Sequence, residues 1–559
     1  MYKNIKREFN KYHNSTINIL LHIFTTHLGI YGFINLISIW KTSYFLIVIY
    51  LIFILLNIPI YLSICTCSFI IYSLNCSSID INTCISFICF SYIFQELSHI
   101  ICSEPTFESS YLNKYNVDLN KMLKHNLLLL PLVQDNGIDL FFKLMKYTLY
   151  NYDRIIIGKV NNNVIMDKLG KLYDFNNLPK STIHYWKKEL KNKYLDYFNI
   201  LQYSNEIING IYEKFPKNEY SIIHIDNMND IYICCIETKL NSDKVFYMQH
   251  IDGPWGFFPF VSIYRTILAI NENNIVRTTF PSTKKSNIMS NGDFNSFDYH
   301  REIHVISNEN NIVATNRRIV LKFHYCIVPK GLELYGHFLK NLSVLYNTWA
   351  RNNFLQTINP NTIWSKINVI CILVSTFVAR LYQQHIGISN SMYLILCCII
   401  NKFYPDSFLI MTSFIHYLKY IITYWERDNL SYNDFVRDVI FFKFIAWIQI
   451  LIKINSFDIL YLLPFFVGVS ISMIATFRLG KIRTYFGTEL KLVQFKKISK
   501  FPYGYIPHPM ITGQLIALLS LALHPNWFSK YTWLLPTHML LYSLHCLQEI
   551  YDFHKIKSN

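Results

Sequence analysis

The sequence predicts a multi-domain chain with α-helical integral membrane regions at both ends and a mostly β soluble domain between them. Of its 559 residues, 52% are hydrophobic and only 16% are charged. The apolar residues are bunched into runs that a soluble core does not need, whereas the middle of the chain is richer in charge and Asn. We therefore predict three domains, covering residues 1–150, 151–361 and 362–559.

The first region is almost continuously apolar over residues 17–101. Residues 44–74 are long enough for one span and part of a second, since a span needs about 20 residues. A further apolar stretch, residues 127–150, is interrupted by Pro131 and the polar VQDNG, and we expect it to lie at the interface. The N-terminus MYKNIKREFNKYHN is polar for too long to be a cleaved signal peptide.

The middle region consists of short segments rich in β-branched and aromatic residues, separated by turn residues. The predicted strands are YSIIHI, DIYICCIE, KVFYMQHI, SIYRTILAI, NIVRTTF, REIHVIS and RIVLKFHYCIV, after a helical lead-in at about residues 185–215. Beyond residue 361 the apolar runs return and predict a set of membrane helices. They lie at about residues 364–384, 391–424 (with a break at 404–406), 437–453, 457–477, 510–523 and 532–547, with a basic segment at 478–500.

The formal charge of +16 raises the question of nucleic acid. Lys and Arg are scattered through the loops between apolar runs, without a basic helix or an aromatic sheet motif, so we exclude nucleic acid as a partner. Loops of this kind are typical of the side of a membrane that faces anionic headgroups. The 13 cysteines include no CxxC pair with zinc spacing, and several lie in apolar runs, which argues against a disulfide framework.

The clearest motif is FPYGYIPHPMITG near the C-terminus, which follows TYFGTEL and precedes an apolar run. It resembles the hallmark of the phospholipid and isoprenylcysteine carboxyl methyltransferase superfamily, GPYxYxRHPxYxG followed by a Glu-Glu pair. Two departures are present: Pro507 occupies the usual Arg position, and the acidic pair is reduced to Glu549 after Gln548. A Pro-rich loop that simply leads into a membrane helix is the alternative interpretation.

This resemblance implies S-adenosyl-L-methionine as the methyl donor and a lipid as acceptor. This cofactor is a zwitterion with a sulfonium group. Its site needs a small residue that lets the backbone approach closely, a carboxylate near the amine or ribose of the cofactor, and aromatic side chains around the methyl group. By the resemblance, His508 and Glu549 are the candidate catalytic residues. The candidate cofactor-binding residues are Tyr503, Tyr505, Pro509, Gly513, Gly487 and Glu489.

A second motif lies in the middle region, where His250 and Asp252 form an H-x-D pair, His304 follows, and Arg318 begins a strand. This order resembles the Fe(II)/2-oxoglutarate dioxygenase superfamily, whose fold is a double-stranded β-helix. Two imidazoles and a carboxylate hold Fe(II) and leave three coordination positions for the cosubstrate and oxygen. An arginine binds the far carboxylate of 2-oxoglutarate. His300 competes with His304, because strand alternation places both on one face; His304 is preferred for its more apolar surroundings. A histidine that merely caps a strand is the alternative.

A third group of histidines lies at the ends of the N-terminal apolar region. His13 and His22, with His27 as a possible further member, lie around the first apolar helix, and His99 lies at the end of the last one. The patterns YHN-x3-IN-x3-H and Q-x3-H-x4-E resemble the membrane-bound 2-hydroxy-fatty-acid dioxygenase family of the endoplasmic reticulum. The resemblance implies iron ligands, since histidine inside a membrane usually marks a site. Histidines that only sit at the headgroup level are the alternative.

Together these motifs predict a multi-pass protein of the endoplasmic reticulum or another endomembrane, with membrane lipids as substrate. The predicted function is lipid methylation, fused to iron-dependent oxygenase-like domains. Carboxyl methylation of a prenylated protein is an alternative that the same C-terminal motif permits. A non-catalytic transporter or scaffold belongs to a different class, but the ionisable residues are concentrated at the ends of the runs and in the middle region. The pattern makes no prediction of oligomeric state.

Overall fold

A computed structural model provides the structure of the chain. It describes residues 2–40, 43–75, 79–107, 112–113, 116–171, 183–187, 190, 192–234, 248–254, 259–272, 276–308, 318–358, 360–426, 430–453, 459–523 and 533–557. The described chain is helical at both ends with a β-sheet region between them. It divides into two compact units, Met1–Lys146 with Phe215–Ile223 and Ile327–Lys340, and Tyr147–Lys214 with His224–Cys326 and Asn341–Asn559. The three-domain division stays a prediction.

The first unit begins with helices that follow the predicted apolar runs. They are α1 (Tyr2–Phe9), α2 (Thr16–Ile37), α3 (Ser43–Asn57), α4 (Ile60–Asn75), α5 (Ile81–Cys102) and α6 (Leu119–Leu149), with two short strands, β1 (Leu112–Asn113) and β2 (Asn116–Val117). Pro59 separates α3 from α4, as expected where a proline removes a helical hydrogen bond. The predicted run over residues 44–74 is therefore two shorter helices.

Helix α6 differs from the prediction, because it continues through Pro131 and the polar VQDNG without a break. The reason is a polar cluster at the buried Asp135. Tyr2 and Tyr61 donate their hydroxyls to this carboxylate at 2.8 and 3.0 Å, and Lys6 Nζ lies 2.7 Å away. Buried polar groups that are satisfied in this way are tolerated inside an apolar bundle.

Four helices among the described residues are long and apolar enough to cross a membrane. They are Thr16–Ile37, Ile81–Cys102, Ile363–His385 and Leu462–Leu479. Shorter apolar helices accompany them at both ends of the chain. Membrane-spanning regions at both ends are thus compatible with helix length and composition.

Strands and short helices alternate through the middle of the chain. They are β3 (Ile155–Lys159), α7 (Asn163–Gly170), β4 (Ile183–Trp186), α8 (Asn192–Gln202), α9 (Asn205–Lys214), β5 (Tyr220–His224), a 3-10 turn at Asp226–Met228, β6 (Asp230–Cys234), β7 (Ser262–Ala269), β8 (Val276–Phe280), β9 (Lys285–Ile288), β10 (Asp293–Asp298), β11 (Val305–Asn308) and β12 (Arg318–Pro329). The described parts of YSIIHI, DIYICCIE, SIYRTILAI, NIVRTTF and RIVLKFHYCIV fall on strands, as does the end of REIHVIS. KVFYMQHI does not: residues 244–247 lie outside the described residues, and 248–251 form only the isolated bridge at His250. Strands β3, β4, β9 and β10 were not predicted; β10 carries Asp, Asn and Ser at buried positions, which hides its strand character in the sequence.

The strands form a larger sheet, with neighbours in the order β3, β10, β7, β12, β6, β4, and a smaller sheet in the order β11, β8, β9. From β6 to β12 the chain crosses between the two sheets four times: β6, β7, β10 and β12 belong to the larger sheet, and β8, β9 and β11 to the smaller one. An isolated bridge pairs His250 with His304 beside β11. A shared core contains Tyr232, Ile267 and Val320 from the larger sheet and Phe280 from the smaller one. The two sheets therefore enclose one apolar core, with His250 and His304 directly opposite each other.

Most of the C-terminal helices match the predicted apolar runs, but α10 lies in the predicted β domain and the one-turn helix α16 lies in the basic segment, and neither was predicted. They are α10 (Glu333–Ile358), α11 (Ile363–His385), α12 (Ile388–Phe403), α13 (Ser407–Glu426), α14 (Tyr432–Lys453), α15 (Ile459–Leu479), α16 (Lys481–Thr484), α17 (Pro509–Ala522) and α18 (Leu534–Lys557). A capping box at Thr362 and Ser365 begins α11. The break between α12 and α13 coincides with the predicted interruption at residues 404–406.

Helices α15 and α17 pack at very short range through Gly468 and Gly513. A methyl group added at Gly513 would lie 2.5 Å from the Gly468 carbonyl oxygen and 2.9 Å from Ser472 N, both backbone atoms. Small residues allow such close helix contacts in membranes.

We expect Gly513→Val to destabilise the protein by about 1–3 kcal/mol, measured as lost thermal stability in detergent. The control is Ala522→Val, which adds the same side chain at the end of α17, the helix that contains Gly513. Gly480→Val is not suitable, because Gly480 has a positive φ that valine rarely adopts. Equal stability of Gly513→Val and wild type would contradict the packing role.

Candidate functional site

The structure brings His250, Asp252 and His304 together in the second unit. Their ligand atoms all lie within 4.8 Å of one another. His250 Nε2 is 3.7 Å from one Asp252 oxygen, and His304 Nε2 is 3.7 Å from the other. All three side chains are buried or nearly so. Two imidazoles and one carboxylate with this spacing can hold a divalent metal ion.

Backbone hydrogen bonds fix both imidazoles. His250 and His304 exchange two backbone N–H···O bonds of 3.0 Å across their bridge, which sets the distance between their side chains. His250 Nδ1 lies 2.9 Å from the Met248 carbonyl oxygen, and His304 Nδ1 lies 3.4 Å from that of Glu302. A ring that donates from Nδ1 to a carbonyl presents the Nε2 lone pair, which is how a metal-binding histidine is usually oriented.

The structure separates His304 from its competitor His300. Residues 299–301 form a turn, so the predicted strand alternation does not reach His300. His300 Nδ1 instead donates to the Gly253 carbonyl oxygen. Arg301 holds this turn by donating to Ser262 Oγ at 2.8 Å and to Tyr152 at 3.2 Å.

Two buried cations that the sequence analysis missed face the triad. Arg265 Nη1 lies 2.7 Å from Asp252 Oδ2. Burial alone would raise the pKa of the Asp252 carboxyl, but the positive charge of Arg265 holds it below its usual value. Burial lowers the pKa of His250, lowers that of His304 to about 3, and lowers that of the Lys322 ammonium to about 8. Both imidazoles are therefore in the neutral form that binds a metal at physiological pH.

Arg318 and Lys322 lie on the same face of β12, two alternations apart. Both line a small cavity of about 20 Å³ together with the three triad residues. Arg318 Nη2 donates to Thr278 Oγ1 at 3.1 Å, and the residue is buried. The alternation Arg318, Val320, Lys322, His324 was visible in the sequence and could have marked Lys322 as inward-facing.

A larger cavity of about 510 Å³ opens beside the triad. His250, Asp252, Arg265 and Lys322 line its inner end, and side chains from α10 and α11 line the other walls. Ile251 and Ile303, next to the triad residues, pack with Ile388 and Tyr382 from the neighbouring helices. The helices that follow the β region therefore support the site directly.

In the first unit, the rings of His13, His22 and His99 also converge, and their ligand atoms lie within 4.8 Å of one another. His22 Nε2 and His99 Nε2 are 3.1 Å apart. All three are buried, and His13 stacks on Phe9 with ring centroids 3.9 Å apart. His27 lies elsewhere: its Nδ1 is 2.7 Å from the Ile23 carbonyl oxygen, and it packs on Phe69. The geometry thus brings three of the four candidate histidines together.

The polar residues of the same motif surround this cluster. Asn18 donates to Glu104 Oε2 at 2.6 Å, accepts from Ser98 Oγ, and lies 3.4 Å from His99 Nδ1. Glu104 also accepts from the Ser15 backbone N–H at 2.7 Å. Outer groups of this kind orient metal ligands, and their loss typically weakens metal binding 10–100-fold.

We therefore expect Asn18→Ala to weaken Co(II) binding by the N-terminal histidines about tenfold. The measurement is a Co(II) titration of protein in which Asp252→Ala removes the other cluster. Asn35→Ala is a matched control, because Asn35 is buried on the same helix and bonds to the Tyr31 and Ser73 carbonyls instead. Equal Co(II) affinity of the two variants would contradict a supporting role for Asn18.

The C-terminal motif borders a second cavity of about 510 Å³. Tyr503, His508, Pro509 and Glu489 line it, together with Tyr542 and His545 of α18. The histidine–proline turn and the last helix thus face one cavity. Lys443 and His416 also line it, and neither was predicted. Lys443 is a lone cation in the apolar run FFKFIAW, a signal that the sequence did contain.

Three of the remaining predicted residues, Tyr505, Gly487 and Gly513, do not line the cavity. The side chain of Tyr505 is 76% exposed. Gly487 lies in the turn that follows Ile482, and Gly513 is buried in the contact with Gly468. Helix α18 passes through Glu549, but the side chain of Glu549 lies outside the described residues.

No family model matches the chain, and no curated protein matches it either. Among solved structures, it is similar to a viral collagen prolyl hydroxylase from Paramecium bursaria Chlorella virus-1, solved as a 2OG complex. That match has 11% identity and a TM-score of 0.20, and covers 31% of this chain and 96% of the other. A prolyl hydroxylase from Trichoplax adhaerens, solved with a hypoxia inducible factor fragment, matches at 10% identity and a TM-score of 0.21, covering 38% and 96%. Both similarities are weak.

Proposed function

We propose that the β region is an Fe(II)- and 2-oxoglutarate-dependent oxygenase whose metal is held by His250, Asp252 and His304. The observation that carries this proposal is the buried triad with ligand atoms within 4.8 Å of one another. Repeated crossing of the chain between two sheets, as in jelly-roll folds, supports a double-stranded β-helix. The weak structural similarities are not needed for it.

The donor set fits the proposed ion. Two neutral imidazoles and one ionised carboxylate leave part of the coordination sphere open, as non-haem Fe(II) oxygenases require. When bound, such an ion activates O2 while 2-oxoglutarate is oxidised to succinate and CO2, and one oxygen atom enters a C–H bond of the substrate. The protein's own residues keep the two imidazoles neutral and oriented, and Arg265 balances the charge of Asp252.

The test of this proposal is succinate release by purified protein under air. Succinate that appears only when both Fe(II) and 2-oxoglutarate are supplied supports the assignment. Wild-type protein that binds iron but never converts 2-oxoglutarate, with any of its membrane lipids present, would contradict it.

Arg318 is the proposed partner of the 2-oxoglutarate carboxylate, because a guanidinium can bind it through two parallel hydrogen bonds. We expect Arg318→Ala to weaken 2-oxoglutarate binding to the Co(II)-loaded protein about tenfold, since a hydrogen bond to a charged group contributes about 1.5–3 kcal/mol. Isothermal titration calorimetry measures this. Lys322→Ala is the informative comparison: if it abolishes binding while Arg318→Ala leaves it intact, the assignment to Arg318 is wrong.

The N-terminal histidines are proposed as a second metal site. Their all-imidazole set suits Fe(II), and their surroundings of Asn18 and Glu104 support a built site rather than histidines at the headgroup level. Because α2 and α5 are candidate membrane spans, a metal there would act on substrates at the membrane. This is the activity that the resemblance to 2-hydroxy-fatty-acid dioxygenases implies.

A second candidate function, lipid methylation with S-adenosyl-L-methionine, is favoured by the C-terminal cavity. Four residues of the motif, Tyr503, His508, Pro509 and Glu489, line it. His508 and Glu549 are proposed as catalytic residues. Incubation of membranes with labelled S-adenosyl-L-methionine separates the alternatives: label in the lipid extract supports lipid methylation, and label in base-labile protein esters supports carboxyl methylation of a prenylated protein.

The cellular setting remains part of the proposal. Helices that can cross a membrane, and three sites near apolar helices, suit a multi-pass protein of the endoplasmic reticulum or another endomembrane with membrane lipids as substrates. A transporter or scaffold predicts neither metal-dependent succinate release nor methyl transfer.

A further inference from the structure

The cavity beside the His250, Asp252 and His304 triad has two chemically different ends. Its inner end carries His250 and Asp252 of the triad, Arg265 and Lys322, and an ion pair of 2.6 Å between Asp230 and Arg351. The walls from α10 and α11 carry apolar side chains together with uncharged polar ones; they include Trp349, Phe354, Ile372, Asn353 and Asn368. A ligand that fits this cavity therefore has a polar or charged end and an apolar remainder.

Helix α11 forms one of the outer walls. Cys371, Ile372, Ser375 and Thr376 line the cavity, and their spacing places them on one stripe of the helix. The stripe is uncharged and made mainly of small side chains, which leaves room for a chain along the helix.

The same helix is a candidate membrane span. Ile363–His385 has 23 residues, and few of them are buried within the protein. The side that does not line the cavity presents exposed apolar residues, namely Ile367, Ile370, Val374, Phe377 and Val378. A bare apolar helix of this length is about 35 Å long and suits a bilayer. One wall of the oxygenase cavity is then a helix in contact with lipid.

From this arrangement we infer that the substrate of the proposed oxygenase is a long-chain amphiphile that enters from the bilayer along α11. This inference rests on the proposed function of the triad. The hydrocarbon chain lies against the stripe of α11 and the aromatic residues of α10, and the polar group reaches the charged inner end. Entry along a lipid-exposed helix spares the hydrocarbon chain a passage through water, which is unfavourable in proportion to the apolar surface exposed.

The test is photo-crosslinking of the full chain in lipid nanodiscs. Two probes carry the same diazirine-labelled chain, one as free palmitic acid and one as phosphatidylcholine, so that the source of the amphiphile is distinguished. We expect adducts on the cavity-lining residues Trp349, Phe354 and 371–376, and competition by unlabelled palmitate. Labelling by the acid alone indicates a free fatty acid, labelling by phosphatidylcholine alone indicates an esterified lipid, and labelling by both means that the chain is recognised whichever polar group it carries.

Matched tryptophan substitutions on α11 make the test specific. Ser375→Trp fills the cavity stripe and should reduce labelling of Trp349 and Phe354 at least tenfold. Val374→Trp adds the same side chain on the lipid-exposed side and should leave the labelling of Trp349 and Phe354 within twofold of wild type. Thr376→Phe is a second cavity variant in case the first does not fold. Labelling confined to Ile370, Val374 and Phe377 in the wild type would overturn the inference, because it shows only contact with surrounding lipid.

The outcome is separable from that of the proposed function. Iron bound by the His22→Ala chain, which lacks the N-terminal cluster, with no labelling of the cavity refutes the amphiphile and leaves the oxygenase. Labelled cavity residues in a protein that binds no iron refute the oxygenase itself. Succinate release stimulated by a proline-containing peptide and not by palmitate would also overturn the inference, since it assigns the cavity to a polypeptide.

Discussion

His304→Asn is expected to weaken Fe(II) binding at the central triad by more than about 100-fold, since the loss of even outer-shell partners weakens metal binding 10–100-fold. An asparagine amide can replace the Nδ1 contact to the Glu302 carbonyl but cannot replace Nε2, which lies beside Asp252. Within the part of the chain that the structure describes, two clusters could each hold an ion. Anaerobic titration with metal analysis should find both occupied in wild type and only the N-terminal one in this variant.

His300→Asn is the matched control, because it makes the same change at the neighbouring histidine. Its amide can keep the contact to the Gly253 carbonyl, and His300 is not part of the triad. We expect this variant to retain both ions. The assignment is wrong if His300→Asn loses the central ion and His304→Asn keeps it.

Tyr503→Ala is expected to weaken S-adenosyl-L-methionine binding about 30-fold. Tyr503 lines the C-terminal cavity, and the attraction of a desolvated cation to an aromatic face contributes about 2 kcal/mol. The sulfonium of the cofactor is such a cation. Equilibrium binding of labelled cofactor to the purified chain measures the effect.

Tyr505→Ala provides the comparison, since Tyr505 belongs to the same motif but is exposed and does not line the cavity. The affinity of the Tyr505→Ala protein for the cofactor should stay within about twofold of wild type, as expected for a surface substitution. Identical losses in both variants would mean that the motif acts through its fold and not through the cavity. Unchanged binding in both would remove the cofactor assignment.

Much of the architecture could be predicted from patterns in the sequence. Long apolar runs predicted helices at both ends, and α11 to α15 begin and end within a few residues of the expected bounds. Proline effects were less predictable, because they depend on partners distant in sequence. Pro59 ends a helix, but Pro131 does not interrupt α6, where Asp135 is satisfied by Tyr2, Tyr61 and Lys6.

The residues of the candidate sites were predictable in type but not always in role. The H-x-D pair and a distal histidine indicated the triad, but choosing between His300 and His304 required the turn at residues 299–301. Arg265 was missed because it is distant in sequence from the residues it contacts. The contact between Gly513 and Gly468 likewise depends on two helices that only the folded chain brings together.

X-ray absorption spectroscopy of the Fe(II)-loaded chain is the most direct test of the oxygenase proposal. The sample carries His22→Ala, which removes the N-terminal cluster and leaves one iron environment to analyse. The account predicts iron surrounded by nitrogen and oxygen donors only, with the scattering pattern of two imidazoles. Iron with fewer than two imidazoles, or with a sulfur neighbour, would contradict the assignment to His250, Asp252 and His304.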